Sequence, residues 1–325
     1  MRIAVTGASG HIGAAVCREL LRRGYEVVAL IHHNDSAVLD LRVTIVKGSI
    51  LNQNSLDEFM GQCDAVIHSA ALISLGYGFN QRVYDINVSG TKYVLDKAKQ
   101  YGVKKVVHFS SIDAFDPFPG NLPLDESRSF VTDQSIFYDQ TKREAHQLAL
   151  DAASEGLPVV IVCPTAVLGP PDYTPSKLGK AIMDIYKGNI PAVVRGGFDF
   201  SDVRDVASGA VLALEKGMAG ETYILGGAYY TLKQFADNIL EIKGVGKRLI
   251  ELPMFLADLG LPFVKGYAFL ANRPPLYDRT YLNILQDGSR NISSRKAQQN
   301  LGYQCRDLMT TLTDTIKWFR EMDKL

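Results

Sequence analysis

The sequence predicts an α/β fold with a doubly wound parallel sheet, and three observations support it. Short apolar runs alternate with amphipathic helical patterns through the first half of the chain. Several runs are apolar at nearly every position, as is typical of parallel strands buried on both faces. The first run breaks directly into three glycines, Gly7, Gly10 and Gly13, before a helical pattern begins. Such repeated units predict right-handed crossovers and a ligand site beyond the carboxyl ends of the strands.

The elements of this fold are expected in a regular order. Strands are predicted at residues 3–6, 26–31, 44–47, 65–68, 106–110 and 158–163, and helices at 12–23, 55–62, 82–101 and 137–155. We place a nucleotide-binding domain at 1–168, to which the chain returns around 200–226. A smaller, mostly helical substrate-binding region is expected at 169–325. Within it, the apolar stretch 253–272 is expected to form helices that cap an apolar pocket.

The composition excludes several classes of function. Among 325 residues, 35 Lys and Arg balance 35 Asp and Glu, so neither nucleic acid nor an anionic membrane is an expected partner. The start of the chain shows no apolar segment of signal or membrane-spanning length. The four cysteines are widely separated and form no metal-ligand spacing: Cys17, Cys63, Cys163 and Cys305. A cytoplasmic protein with reduced thiols and no structural metal is therefore expected.

The glycine loop after the first strand points to a dinucleotide. Glycines let the backbone turn tightly and approach a pyrophosphate closely. The helix that follows directs free N–H groups and a partial positive charge at such an anion. The loop residues expected to contact the cofactor are Gly7, Ser9, Gly10, His11, Ile12 and Gly13.

A tyrosine and a lysine stand four residues apart at the start of a predicted helix. Tyr138 and Lys142 therefore share one helix face, and a lysine cation lowers the pKa of a nearby phenol. By itself this spacing also occurs in surface pairs. Here a strand ends upstream in Ser110 and Ser111, where chemistry is expected in a parallel sheet.

With these features in this order, the chain resembles the extended short-chain dehydrogenase/reductase family, whose nucleotide-binding domain is a Rossmann fold. The resemblance covers nearly the whole chain. Four further family motifs stand here as DAVIHSAA at 64–71, NVSGT at 87–91, PTAVLG at 164–169 and DVRDVA at 202–207.

The resemblance implies a role for each candidate residue. Tyr138 would exchange the proton, Lys142 would hold the nicotinamide ribose and lower the pKa of Tyr138, and Ser111 would bind the substrate oxygen. We prefer Ser111 to Ser110 because the family's hydroxyl usually lies four residues before an aromatic. Asn87 would position a helix and a water, or serve as a cap or buried amide, and His68 is expected to be a packed strand residue. Further cofactor contacts are implied at Ser49, Ile50, Ser69, Ala70, Ala71, Asn87, Lys142, Pro164 and Val167.

The residues after the second strand favour NADP(H) over NAD(H). NAD-preferring relatives carry an aspartate there that accepts from both ribose hydroxyls. This chain has Ile31 near that position, followed by His32 and His33. The missing carboxylate removes repulsion, and the histidines are expected to donate to a 2′-phosphate.

The family contains reductases, epimerases and dehydratases, and three positions bear on the choice. The dehydratase Thr-Asp-Glu triplet corresponds to Ser111-Ile112-Asp113, which lacks the acid at its second position. The epimerase arginine that grips a diphosphate is replaced by Phe198; Arg195 or Arg204 would have to compensate, although Arg204 would equally suit a structural ion pair. The aromatic substrate region suits an uncharged carbonyl.

The sequence therefore predicts an NADP(H)-dependent reductase of a ketone or aldehyde, similar to dihydroflavonol reductases and bacterial ketone reductases, with a small carbonyl or alcohol compound as its substrate. An NAD-dependent sugar-nucleotide epimerase and a non-catalytic nucleotide sensor remain alternatives. The resemblance also implies a possible homodimer that pairs through the helix of Tyr138.

Overall fold

The computed structural model describes residues 1–74, 78–120, 122–246, 249–256, 259 and 289–325. The strands in chain order are β1 (Arg2–Thr6), β2 (Glu26–Ile31), β3 (Thr44–Lys47), β4 (Ala65–His68), β5 (Lys105–Phe109), β6 (Val159–Pro164), β7 (Ala166–Leu168), β8 (Ala192–Val194), β9 (Gly197–Asp202), β10 (Thr222–Leu225), β11 (Ala228–Thr231) and β12 (Ile250–Leu252).

The helices of the described chain alternate with these strands. In order they are α1 (His11–Arg22), α2 (Gln53–Met60), α3 (Gln81–Tyr84), α4 (Gly90–Gln100), α5 (Phe137–Ser154), α6 (Lys177–Lys187), α7 (Val203–Lys216), α8 (Leu232–Lys243), α9 (Arg295–Leu301) and α10 (Leu308–Glu321).

Seven strands form the predicted parallel sheet, in the order β10-β6-β5-β4-β1-β2-β3. The strands run outward from β1 in both directions, so the order reverses between β1 and β4. Their register pairs Val5 with Ile67 and Thr6 with His68. The loops after β1 and β4 therefore flank the crevice where ligands bind in such sheets.

Helices cover both faces of this sheet because each presents one apolar stripe to it. On one face, α1 and α7 pack together through residues such as Val16, Leu20 and Val206. On the other, α2, α4 and α5 bury Leu56, Val94 and other apolar side chains. The residues of both cores are nearly inaccessible to solvent. This packing holds the strands, and therefore the strand ends that form the crevice, in place.

The second half of the chain forms a smaller unit with its own core. The described helices α6, α8 and α10 pack on a sheet ordered β11-β9-β7, beside the pair β8 and β12. These small sheets are additions to the mostly helical region that the sequence predicts. The strand β10 joins the large sheet beside β6, so the chain does return to it. The boundary at residue 168 stays a prediction.

Two sequence predictions need comment. The helix predicted at 82–101 is interrupted by a π-helical turn, Asp85–Ser89, between α3 and α4. Of the apolar stretch 253–272, only 253–256 and 259 are among the described residues, so the expected pocket cap lies outside them. Within the described chain, no helix has the length and apolar character needed to cross a membrane. No group of three metal-ligating side chains is found there either.

Candidate active site

The backbone around the glycine loop after β1 lies so close to Gly7 and Gly13 that neither position has room for a Cβ. Gly7 has φ +66°, and a Cβ there would lie 2.7 Å from the Ala70 nitrogen. A Cβ on Gly13 would lie 2.1 Å from the Gly7 oxygen. The Gly10 N–H donates to that same oxygen at 2.9 Å and closes the turn. This cradle opens directly onto the start of α1 and fits a dinucleotide pyrophosphate.

The loop after β4 is tied to the glycine loop across the crevice. The Ser69 hydroxyl donates to the Thr6 carbonyl at 2.7 Å, and the Ala70 N–H donates to the Thr6 hydroxyl at 3.3 Å. His68 is hydrogen-bonded to the hydroxyls of Thr6 and Thr91, at 2.7 and 3.0 Å. Burial lowers the pKa of His68 to about 3, so it is a neutral, packed strand residue.

The other predicted cofactor contacts lie at the same edge of the large sheet. His11 begins α1, and its Nε2 lies 2.7 Å from the Gly169 carbonyl. Ile50 is buried and packs against Gly90, because a Cβ on Gly90 would lie only 2.5 Å from Ile50 Cδ1. Of the remaining residues, Ser9, Ser49 and Ala71 lie in loops after strands of this sheet, Ile12 lies in the first turn of α1, Pro164 ends β6, and Val167 lies in β7 of the small sheet.

Two histidines follow β2, where the adenosine end of a dinucleotide is read. The rings of His32 and His33 are exposed and lie with centroids 3.7 Å apart. Partial desolvation and the charges of His33 and Arg82 lower the pKa of His32. The sequence reasoning missed Arg82, because it lies 50 residues further along the chain. Ile31, before the histidines, is fully buried.

Ser111 and Tyr138 are brought together at the carboxyl end of β5. Ser111 caps the 3₁₀ turn Ile112–Ala114 that follows the strand, and Tyr138 lies in the first turn of α5. The Ser111 side chain lies close enough to Tyr138 to lower the pKa of its phenol, and both residues are buried. The neighbouring Ser110 points the other way and lies 2.9 Å from His146 Nδ1. The structure thus separates the two serines between which the sequence had to choose.

Lys142 lies one turn after Tyr138, and its ammonium donates to the Phe109 carbonyl at 2.8 Å. Burial lowers the pKa of Lys142 to about 8. The pKa of Tyr138 is raised, first by burial and then by the carboxylates of Asp113 and Asp139. The lowering of the Tyr138 pKa by Lys142, which the resemblance implies, stays a prediction.

Asn87 anchors the tyrosine helix from the π-helical turn. Its amide donates to the Thr141 hydroxyl at 3.0 Å and to the Leu72 carbonyl at 3.1 Å. Its oxygen accepts from the Leu72 N–H at 2.8 Å, and the Thr141 hydroxyl donates to the Tyr138 carbonyl at 2.7 Å. Among the roles that the sequence left open, this geometry is that of a buried amide that joins a crevice loop to α5.

Two carboxyl groups stand beside the tyrosine, and the sequence reasoning did not include them in the site. The Ser111 hydroxyl donates to Asp113 Oδ2 at 2.9 Å. Asp139 follows Tyr138 directly, and burial together with Asp113 raises its pKa to about 9. Asp113 could have been noticed in the sequence, because it ends the triplet Ser111-Ile112-Asp113. That triplet was compared with the dehydratase motif only at its second position.

Arg204 is held in a structural network. It donates to Asp202 Oδ2 at 2.7 Å and to Asp314 at 2.7 Å, and the buried Asp202 also accepts from Thr311 at 2.9 Å. Of the two roles that the sequence allowed for Arg204, the structure shows the ion pair. Phe198, the position at which the resemblance implies the epimerase arginine, lies on β9.

A dinucleotide cradle at the switch point of the sheet, with serine, tyrosine and lysine at the next strand end, defines an NAD(P)-dependent enzyme of the extended short-chain dehydrogenase/reductase type. Comparison with known proteins agrees, because the NAD dependent epimerase/dehydratase family matches residues 3–226. The chain belongs to this family.

Individual relatives match almost end to end. The chain is 33% identical to sterol demethylase protein B of Methylococcus capsulatus, over 99% of both chains. It is 31% identical to a putative dihydroflavonol 4-reductase of Synechocystis, over 97% of this chain and 94% of the relative. The crystal structure of gox2253 superposes with a TM-score of 0.86 at 30% identity, over 100% of this chain and 99% of that one.

Proposed function

We propose that the protein is an NADP(H)-dependent oxidoreductase that reduces a ketone or aldehyde to an alcohol. The observation that carries this proposal is the burial of Ser111 and Tyr138 where α5 packs against the turn that follows β5, beside the dinucleotide crevice. Two hydroxyl groups at one strand end suit a single oxygen atom that gains a proton.

Each side chain then has a defined task. A bound nicotinamide dinucleotide would supply the hydride, and the proton comes from Tyr138, whose raised pKa keeps it in the acid form at neutral pH. Ser111 donates a hydrogen bond to the same substrate oxygen as negative charge develops on it. Lys142, with a pKa of about 8, carries a positive charge at neutral pH and would hold the ribose. Asn87 holds α5, the helix that carries Tyr138 and Lys142, in place.

The preference for NADP(H) rests on the end of β2. Ile31 offers no carboxylate to the ribose hydroxyls, and His32 and His33 place two ring systems with N–H donors side by side. Arg82 adds a positive charge close to His32. Such a group suits a 2′-phosphate, for which cations and N–H donors are the preferred partners.

The type of substrate is argued from the second half of the chain. Arg204 is saturated by Asp202 and Asp314, and Phe198 replaces the diphosphate-binding arginine, so a sugar nucleotide is not favoured. The two relatives named above carry names that refer to a sterol and a dihydroflavonol, which are uncharged polycyclic compounds. An uncharged ketone or alcohol of this class is the substrate that we propose.

The test is a spectrophotometric assay with the purified protein. We expect NADPH to be consumed with at least one member of a panel made of cyclohexanone, benzaldehyde, dihydroquercetin and a 3-oxosteroid, and NADH to serve less well. Absence of turnover on every carbonyl compound, together with interconversion of UDP-glucose and UDP-galactose by protein-bound NAD, would instead establish the epimerase.

A further inference from the structure

The loop after β2 presents two imidazole rings side by side. His32 and His33 follow the buried Ile31 directly, and their ring centroids lie 3.7 Å apart with the planes tilted by 49°. Both side chains are exposed. Among the described residues, none forms a hydrogen bond with either ring. The ring nitrogens of this pair are therefore available to a ligand.

The loop that carries the histidine pair is anchored, and its carboxylates already have partners. Arg18 of α1 donates to the Ala37 carbonyl at 2.9 Å and pairs with Asp40 at 2.9 Å. Asp35 pairs with Lys47 at the end of β3, at 2.5 Å. Because both aspartates of the loop are paired with cations, neither is left to hold a proton on the histidines.

The charges around the pair disfavour a proton on it in the absence of a ligand. On the neighbouring strand β3, the charge of Lys47 is offset by Asp35. Partial desolvation, followed by the charges of His33 and of Arg82 on α3, lowers the pKa of His32. An imidazole ordinarily loses its proton near about pH 6.5, and a proton on one ring repels a proton on a ring this close. The free pair is therefore short of protons at slightly alkaline pH.

A phosphate group on the adenosine ribose would reverse this balance. A phosphate monoester carries a charge of about −1.5 to −2 at pH 7, with a second pKa of about 6. In the proposed NADP(H) complex, this group lies at the end of β2. An opposite charge at such a distance raises the pKa of an imidazole by about one to three units. Between the pKa of the free rings and that of the bound rings, phosphate binding and proton binding are therefore coupled.

We propose that His32 and His33 form a proton-linked site for the 2′-phosphate, at which binding of the phosphate transfers a proton from the solvent to the histidine pair. The proton leaves the buffer acid and bonds to a ring nitrogen, and no other bond changes. Arg82 supplies a permanent positive charge, whereas the histidines supply one that arises on binding. This inference rests on the proposed preference for NADP(H) and adds that the preference depends on pH.

The direction of the pH dependence follows from this coupling. The phosphate raises the pKa of the pair, so the added affinity is present near about pH 6.5 and is lost as the pH rises through the pKa of the bound rings. We expect the affinity for NADPH to fall roughly tenfold between about pH 6.5 and 8.5. The affinity for NADH, which lacks the 2′-phosphate, should change far less over the same range.

The experiment is isothermal titration calorimetry at about pH 7.5 in Tris and in HEPES, whose different heats of ionisation reveal the protons taken up. The probes are 2′,5′-ADP and 5′-AMP, which differ only in the 2′-phosphate. We expect 2′,5′-ADP to take up roughly half a proton or more beyond 5′-AMP. The double variant His32→Gln/His33→Gln keeps N–H donors but cannot accept a proton, so this excess should vanish. Ser36→Ala, an exposed side chain of the same loop, is the matched control and should keep it.

A second measurement assigns the proton to a ring. The NMR signal of the imidazole Cε1–H shifts when the ring is protonated, and the single variants His32→Gln and His33→Gln assign the two signals. With 2′,5′-ADP, the titration midpoint of at least one ring should rise by about one pH unit or more, and 5′-AMP should leave it in place. Equal midpoints with both nucleotides would overturn the proposal, as would an excess proton uptake that survives in the double variant.

This inference and the proposed function fail in different ways. NADPH that binds no more tightly than NADH at any pH would refute the proposed cofactor preference. Tighter binding of NADPH without the excess proton uptake would leave that preference standing and refute the proton-linked site. Neither result depends on turnover, so the proposed carbonyl reduction is tested separately through Tyr138→Phe.

Discussion

Tyr138 is the proton donor of the proposed reduction, and its environment favours the protonated phenol. Burial raises its pKa most, the carboxyls of Asp113 and Asp139 raise it further, and the nearby Ser111 side chain opposes this rise. A phenol held in its acid form suits donation of a proton to a developing alkoxide. In the proposed reduction, the phenol would donate this proton to the developing alkoxide.

The proposed preference for NADPH can be tested at His32 and His33. Replacing both by alanine removes donors to a charged phosphate, each worth about 1.5 to 3 kcal/mol. We expect the affinity for NADPH to fall tenfold or more, and the affinity for NADH, which lacks the 2′-phosphate, to stay unchanged. Fluorescence titration with both cofactors measures this. An equal loss for both cofactors would indicate damage to the loop instead.

At the scale of elements, the π-helical turn before α4 has a specific use. It places Asn87 where one amide reaches the loop after β4 and α5. A widened turn in a helix commonly marks a functional position. Here it couples the wall of the dinucleotide crevice to the helix that carries Tyr138 and Lys142.

Asn87→Ala tests this coupling. The change removes the buried hydrogen bond to Thr141 and leaves the partly buried N–H and C=O of Leu72 without their partner, so we expect a loss of about 1 to 3 kcal/mol in the free energy of unfolding. It should also lower kcat, because α5 loses its anchor beside Tyr138. Urea unfolding and steady-state kinetics give the two values.

The matched control is Asn52→Ala, which removes the side-chain cap of α2 and none of the hydrogen bonds to α5. It should cost about 1 kcal/mol and leave kcat unchanged. If Asn87→Ala lowers stability but not kcat, the amide supports the fold alone.

Local sequence patterns were sufficient to predict the strands of the large sheet from β1 to β6. The glycine spacing after β1 and the apolar runs of β1 to β6 depend on neighbouring residues, and the strands formed within one or two residues of their predicted bounds. Tyr138 and Lys142 were found because a helix places residues four apart on one face. The position of Asp113 beside Tyr138 could not be predicted from the sequence, since it depends on α5, which approaches the turn from elsewhere in the chain.

At the scale of the whole molecule, ion pairs around the buried Asp202 tie α7 to the last helix of the chain. Asp202, fully buried at the end of β9, accepts from Arg204 and from Thr311 of α10, and Arg306 pairs with Asp205 of α7. These contacts link the helix that supports the large sheet to the last helix of the chain. The sequence left Arg204 open because only the folded chain shows which carboxylates reach it. Pairing of two copies through α5 stays a prediction.

The central claim is that Tyr138 donates the proton in a carbonyl reduction, and Tyr138→Phe tests it most directly. Tyr101→Phe is the matched control, since its hydroxyl bonds Asp57 at the far end of α4. We predict that NADPH-dependent turnover falls by roughly 10²- to 10⁴-fold in Tyr138→Phe, with NADPH affinity retained, and that Tyr101→Phe turns over as the wild type does. Turnover of Tyr138→Phe equal to that of the wild type would contradict the account.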